Sequence, residues 1–365
     1  MKNGTSGNFS DQPVTVKVSR LAMIAISSAV CGSVLVISGF MILREKTQSP
    51  TMVIHEILLI AGTGMLFLAL ITGIISIILI EISGGKKTGT NFSVGAIVMS
   101  ILVGILLTIS LSLIKVRSIA FRIVCGMNLS EISKAMLLYA NDYEDKFPQA
   151  GGPGARLGVG VRWDTANRNE AFDISAAGNT ASATVSSSLF LLMRYADINP
   201  KTFLCKGDKG VSYFEPPRNV DITKLWDFGP EPWKHVSYAY HAPYGGFPLT
   251  SSSDPGMAVL ADRNPWMSWL NWKVQDFTVF DPSGRQRFQR VGNTPCHRYE
   301  GQNVSFLDCH VSFENASFCG VNKDNIYTSW NGSDISKGMQ PPPGGGPAGR
   351  LDSLLVNDSR WVKNP

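Results

Sequence analysis

The densest group of reactive side chains in this 365-residue sequence is Cys296-His297, followed by Asp308-Cys309-His310. Cysteine and histidine, twice at close spacing, suit a zinc ion. They also suit a Cys–His pair in which the imidazole takes the thiol proton and frees a nucleophile. The plainer reading is a turn held by polar side chains, with a local disulfide. Neighbours on a strand point to opposite faces, so Cys296, His297, Cys309 and His310 do not readily converge on one ion. Cys319 is the only obvious further ligand. The expectation is therefore a structural role, with no catalytic residue, metal or cofactor. A metal-binding or hydrolytic centre on His297, Asp308 and His310 stands as the alternative.

Other candidate chemistry is sparser. Asn322, Asp324 and Asn325 offer oxygen ligands for calcium, but fall short of its usual shell of about 6–8 oxygens; turn formation explains them better. No phosphate loop, dinucleotide fingerprint or Gly-x-Ser-x-Gly elbow occurs. The net charge of +5 is spread among interspersed acids. Arg285, Arg287, Arg290 and Arg298 form only a loose basic group, so nucleic acid is excluded as the expected partner. Of six cysteines, Cys31 lies in an apolar run. The others, Cys125, Cys205, Cys296, Cys309 and Cys319, include no Cys-x-x-Cys pair, which argues against zinc ribbons and thioredoxin-type sites.

The elements that must position these residues follow from a lopsided distribution of hydrophobicity. A polar tail, residues 1–20, precedes three long uncharged runs at 21–43, 57–80 and 93–114. Each is long enough to cross about 30 Å of hydrocarbon at about 1.5 Å per residue, so residues 21–115 read as a three-span transmembrane region. The first run is too long for a signal-peptide core. Gly62, Gly64, Gly73, Gly95 and Gly104 suit close helix packing. No ionisable residue interrupts the runs, so they hold no ligand for an ion path. Lysine and arginine divide evenly between the two sides and leave orientation open. The cysteine-bearing C-terminal part points to an oxidising location for it, periplasmic or extracellular.

The third run continues into a helix with an apolar stripe at Cys125, Leu129, Ile132, Met136, Ala140 and Tyr143, giving a spine over 116–143. Residues 149–187 read as polar and irregular, and a short helix is expected at 187–195. Strands are expected at 235–241, 256–261, 273–280, 302–307 and 310–313, separated by turns such as Asp254-Pro255-Gly256. Residues 337–348 read as a Pro/Gly-rich linker, with a tail to 365 that either adds a strand or stays loose.

Three segments carry a family resemblance. CGMNLSEISKAMLLYANDYEDKFP, residues 125–148, resembles the helix that opens the soluble part of bacterial pilin-like proteins. PKTFLCKGD, residues 200–208, is similar to the family's Phe-x-Cys-Pro-x-Asp turn, with Lys206 in place of proline. HRYEGQNVSFLDCHVSF, residues 297–313, resembles the signature of the prepilin-type processing-associated domain. His297, Gly301, Asn303, Asp308, His310 and Val311 match it, and Cys309 stands where glycine is expected. No Gly-Phe processing site precedes Ser93; Gly39-Phe40 falls at the end of the first run. The resemblance implies an α+β pilin-like domain at 116–336, a long spine helix packed on an antiparallel sheet, as in type II secretion pseudopilins. It implies a non-catalytic structural or assembly protein of the inner membrane and cell envelope. Its partners would be membrane lipid and itself or other envelope or secretion proteins. It also implies a possible disulfide between Cys125 and Cys205, which both lie in family motifs.

Overall fold

The computed structural model describes residues 17–45, 51–84, 86–158, 161–174, 181–267, 274–341 and 344–358. The chain divides into two compact units, Met1–Val116 and Arg117–Pro365.

In the first unit the uncharged runs form helices α1 (Arg20–Glu45) and α2 (Thr51–Ile82) and the opening part of α3 (Thr90–Asp142). All three are long and apolar enough to cross a membrane. Their contacts use small residues, because in hydrocarbon close backbone approach replaces a hydrophobic driving force. Ala25, Ala29, Ala69 and Ala96 form the buried cluster. A Cβ added to Gly62 would lie 2.9 Å from the Val36 backbone nitrogen, so glycine there sets how closely α1 and α2 approach. Ser33 and Ser100 return their hydroxyls to the carbonyls of Ala29 and Ala96, which satisfies them without water.

In the second unit the later part of α3 buries Cys125, Leu129, Ile132, Met136 and Ala140. Tyr143 lies beyond the helix end, half exposed, and stacks on Tyr139, which takes the buried place at the end of the stripe. The stripe meets a five-stranded antiparallel sheet of β1 (Tyr238–His241), β2 (Ala258–Asp262), β3 (Gln302–Phe306), β4 (Val311–Glu314) and β5 (Leu355–Val356). The strand order is β4-β3-β2-β1-β5. β3 and β4 form a hairpin with Gln302 opposite Glu314, and β2 carries an irregularity between Ala258 and Leu260. Ser133 on α3 bonds Ser305 on β3 at 2.6 Å, which fixes the helix on that face.

Both sheet faces are covered. Tyr238, Tyr240 and Leu260 join the core under α3, whereas Ala239, Ala261, Val304 and Leu355 join a second core with Trp266, Phe280, Ile326 and Tyr327. The alternation along each strand therefore feeds two buried layers, and β1 to β3 are buried at every residue. Helix α4 (Val185–Tyr195) begins two residues earlier than the sequence suggests. Thr184 and Ser187 form a reciprocal capping box, and Asp358 accepts from the Val185 and Ser186 amides at 2.9 and 2.7 Å.

Two sequence expectations need correction. Of the strand expected at 273–280, residue 273 lies outside the described residues, and Phe277–Val279 forms a 3₁₀ turn instead. Asp276 accepts from the Thr278 amide at 3.0 Å, a cap that competes with strand pairing. Residues 337–341 and 344–348 are not a free spacer. Met339 bridges Ser329, and the Ala348 amide donates to Asp352. The segment after them supplies β5.

Candidate functional site

Four loops and elements bring one residue each to a common point. Cys125 comes from the buried stripe of α3. Cys205 follows a 3₁₀ turn, Pro200–Phe203, capped by Asn199. Asp262 ends β2. His297 closes a second 3₁₀ turn, Pro295–His297, whose start is capped by the Thr294 hydroxyl. Arg298 and Tyr299 then adopt left-handed backbone, at φ 59° and 58°, and return the chain to β3.

The candidate ligand atoms of Cys125, Cys205, Asp262 and His297 all lie within 4.8 Å of one another, and all four residues are buried. The Cys125 and Cys205 sulfurs are 2.6 Å apart. His297 Nε2 lies 3.1 Å from Asp262 Oδ2 and 3.7 Å from Cys205 Sγ. Asn303, at the second position of β3, donates its backbone amide to Asp262 Oδ2 at 2.7 Å and its side-chain amide at 3.2 Å. The Tyr327 hydroxyl donates to the Asp262 carbonyl at 2.7 Å. The Gly207 amide donates to Cys205 Sγ at 3.3 Å. Gly207 has no room for a side chain, because a Cβ there would sit 2.2 Å from the Cys296 carbonyl oxygen. Beside the cluster, Arg263 and Asp208 form a buried ion pair at 2.6 Å.

Burial alone would depress the His297 imidazolium, but the Asp262 carboxylate overrides it and holds its pKa up to about 11. Cys125 is held down to about 6, first by the hydrogen bond from Cys205, against the opposing effect of burial, with help from His297. Burial and the neighbouring Cys125 push Cys205 well up. Two sulfurs, an imidazole and a carboxyl group thus share a space closed to solvent. The chemistry open to such a set is sulfur pairing or ion coordination. His297 is only 2% exposed.

The structure separates the other signature residues from this point. His297 precedes β3 and Asp308 and His310 follow it, so the length of a strand, roughly 15 Å, lies between them. Asp308 and His310 sit on the β3–β4 hairpin turn, both exposed. Asp308 accepts from the His310 amide at 3.0 Å and from its Nδ1 at 2.5 Å. His310 also stacks on Phe306. Cys309 adopts left-handed backbone at φ 66°, the conformation that favours glycine. Gly301 opens β3, where a Cβ would meet the Glu314 carbonyl at 2.3 Å. Cys296 is buried near Cys205, whereas Cys319 bonds the Ser317 carbonyl.

The calcium candidates serve the fold. Asp324 accepts from the Ser353 amide at 2.7 Å and the Trp330 indole at 2.5 Å, and Asn325 caps the Tyr327 amide. Arg285 and Arg287 belong to one exposed helical turn, Gln286–Gln289 with its cap. A surface depression of about 660 Å³ is lined by Asp164, Arg194, Lys224 and Trp226 and by none of His297, Asp308 and His310.

Asp262 is the member that sequence reasoning missed. Its signal was present: an acid ending an otherwise apolar strand, directly before Arg263-Asn264, in a segment that becomes fully buried. No protein-family model, curated protein or solved structure matches the chain.

Proposed function

We propose that the chain is a membrane-anchored, non-catalytic structural or assembly protein of the pilin-like kind. Three helices hold it in a lipid bilayer. The head formed by its second unit is a folded body that meets copies of itself or other envelope or secretion proteins. The carrying observation is the enclosure of His297. An imidazole that works as a general acid or base must reach its substrate, whereas this one is bonded to Asp262 inside the head, and Asn303 bonds the same carboxylate. Those bonds join β2, β3 and the Pro295–His297 turn, and Cys125 adds the spine helix. The signature residues therefore hold elements together. A hydrolase centred on His297, Asp308 and His310 has no support from the geometry, because a strand's length divides the histidines.

A compartment-sensitive reporter fused at the C-terminus tests this reading, together with alkaline carbonate extraction of membranes. The expected results are a reporter active only outside the cytosol and a chain that stays with the membrane pellet. A head facing the cytosol, or a chain released by carbonate, overturns it.

A further inference from the structure

We propose that Cys125, Cys205, His297 and Asp262 form a closed binding site for one zinc-class divalent ion, a structural metal centre that ties the spine helix to the sheet. Two thiolates, an imidazole and a carboxylate are a ligand set that suits zinc, and the thiolates disfavour calcium and magnesium. Four protein donors with no solvent-facing position make such a centre structural, not catalytic.

The separations support this assignment. Zinc bonds of about 2.0–2.1 Å to nitrogen and oxygen and about 2.3 Å to sulfur give tetrahedral edges of roughly 3.3 Å for N–O and roughly 3.6 Å for N–S. Here His297 Nε2 and Cys205 Sγ are 3.7 Å apart, and Nε2 lies 3.1 Å from Oδ2 of the Asp262 carboxylate, whose other oxygen, Oδ1, is the one open to the ion. Of these separations, the one between the two sulfurs departs. They stand at 2.6 Å and must open by about 1.2 Å to reach a sulfur–sulfur edge of about 3.8 Å. Rotation of the cysteine side chains supplies that movement.

Two further observations favour an ion over a Cys125–Cys205 disulfide, the competing chemistry. The Gly207 amide donates to Cys205 Sγ from two residues along the chain. Donation of this kind favours an acceptor carrying charge, as a metal-bound thiolate does. Asp262 is fully buried and its Oδ1 has no donor, an orphaned carboxylate oxygen that a cation would satisfy and a disulfide would not. Asn303 holds the other oxygen through two donors, which is the outer support that orients a ligating carboxylate. On binding, the ion takes the place of the thiol and imidazolium protons, which leave to solvent.

The test uses the full-length chain purified in mild detergent without chelator. Elemental analysis is expected to find about one zinc per chain. Exchange with cobalt(II) is expected to give thiolate charge-transfer bands and the intense visible bands of a tetrahedral cobalt site, a readout that needs no variant. H297A and D262N are expected to lower zinc affinity at least tenfold. A Cys125–Cys205 cross-linked peptide in a non-reduced digest, with zinc far below one per chain, overturns the proposal. Zinc content unaffected by these variants, or an octahedral cobalt spectrum, also overturns it. Either failure leaves the membrane-anchored reading intact, because that reading rests on the spans and the location of the head.

Discussion

Replacing Asp227 by asparagine removes a carboxylate that is only 1% exposed. Asp227 accepts from the Thr184 hydroxyl at 2.6 Å and from the Phe228 amide at 2.8 Å. Burial, followed by the charge of Asp358, pushes its pKa from 3.8 up to about 7. A group raised in the folded state holds its proton there after the unfolded chain has released it. The folded head thus binds more protons than the unfolded chain between about pH 4 and pH 7, and loses stability as pH rises through that window. From 3.8 to about 7, at about 1.4 kcal/mol per pH unit, the ionised form costs roughly 4 kcal/mol at pH 8. D227N removes that cost. It also gives up the charged hydrogen bond from Thr184, worth about 1–2 kcal/mol. The expected outcome is a head more stable by about 2–3 kcal/mol at pH 8 and less stable by about 1 kcal/mol at pH 4. Urea unfolding followed by tryptophan emission measures this in the detergent-solubilised chain, since all eight tryptophans follow residue 160 and report on the head alone. Parallel pH profiles for D227N and the natural chain would refute the reasoning, because Asp227 would then carry no raised pKa.

Three other outcomes follow from particular contacts. R263M takes away the cation that balances buried Asp208 and the donor to the Trp233 and Val236 carbonyls; a loss of about 3–5 kcal/mol in the same urea assay is expected. G207A drives a Cβ against the Cys296 carbonyl; the turn must shift, and a loss of about 1–3 kcal/mol is expected, where an unchanged midpoint would contradict the packing. H310A alters an exposed hairpin turn, so stability within about 0.5 kcal/mol of the natural chain is expected; a large loss would mean that His310 does more than bond Asp308 and cover Phe306.

The spans and the spine were legible in the sequence because hydrophobicity alone specifies them. Uninterrupted apolar runs give α1 to α3, and spacing by three and four gives the stripe from Cys125 to Ala140. The β3–β4 hairpin was legible from its alternation and its short polar turn. The site was only half legible. His297 and His310 are close along the chain, yet a strand between them carries them apart, while Cys125, Cys205 and Asp262 arrive from distant segments. Two cysteines in separate motifs gave no sign that an aspartate would join them. The strand expected at 273–280 failed because Asp276 offers its own side chain to the backbone. The early start of α4 was invisible because its cap, Asp358, lies 173 residues away from Val185 in sequence.

That last contact has a consequence for biogenesis. β1 waits for Leu355 and Val356 to cover its outer edge, and α4 waits for Asp358 to bind its first amides. A ribosome that has delivered three hundred and forty residues has therefore made nearly all of the head and still left an open strand and a bare helix start. Chains broken off at that stage would display unpaired backbone to quality-control proteases. Chains read through to Asp358 would conceal it in a single closing step.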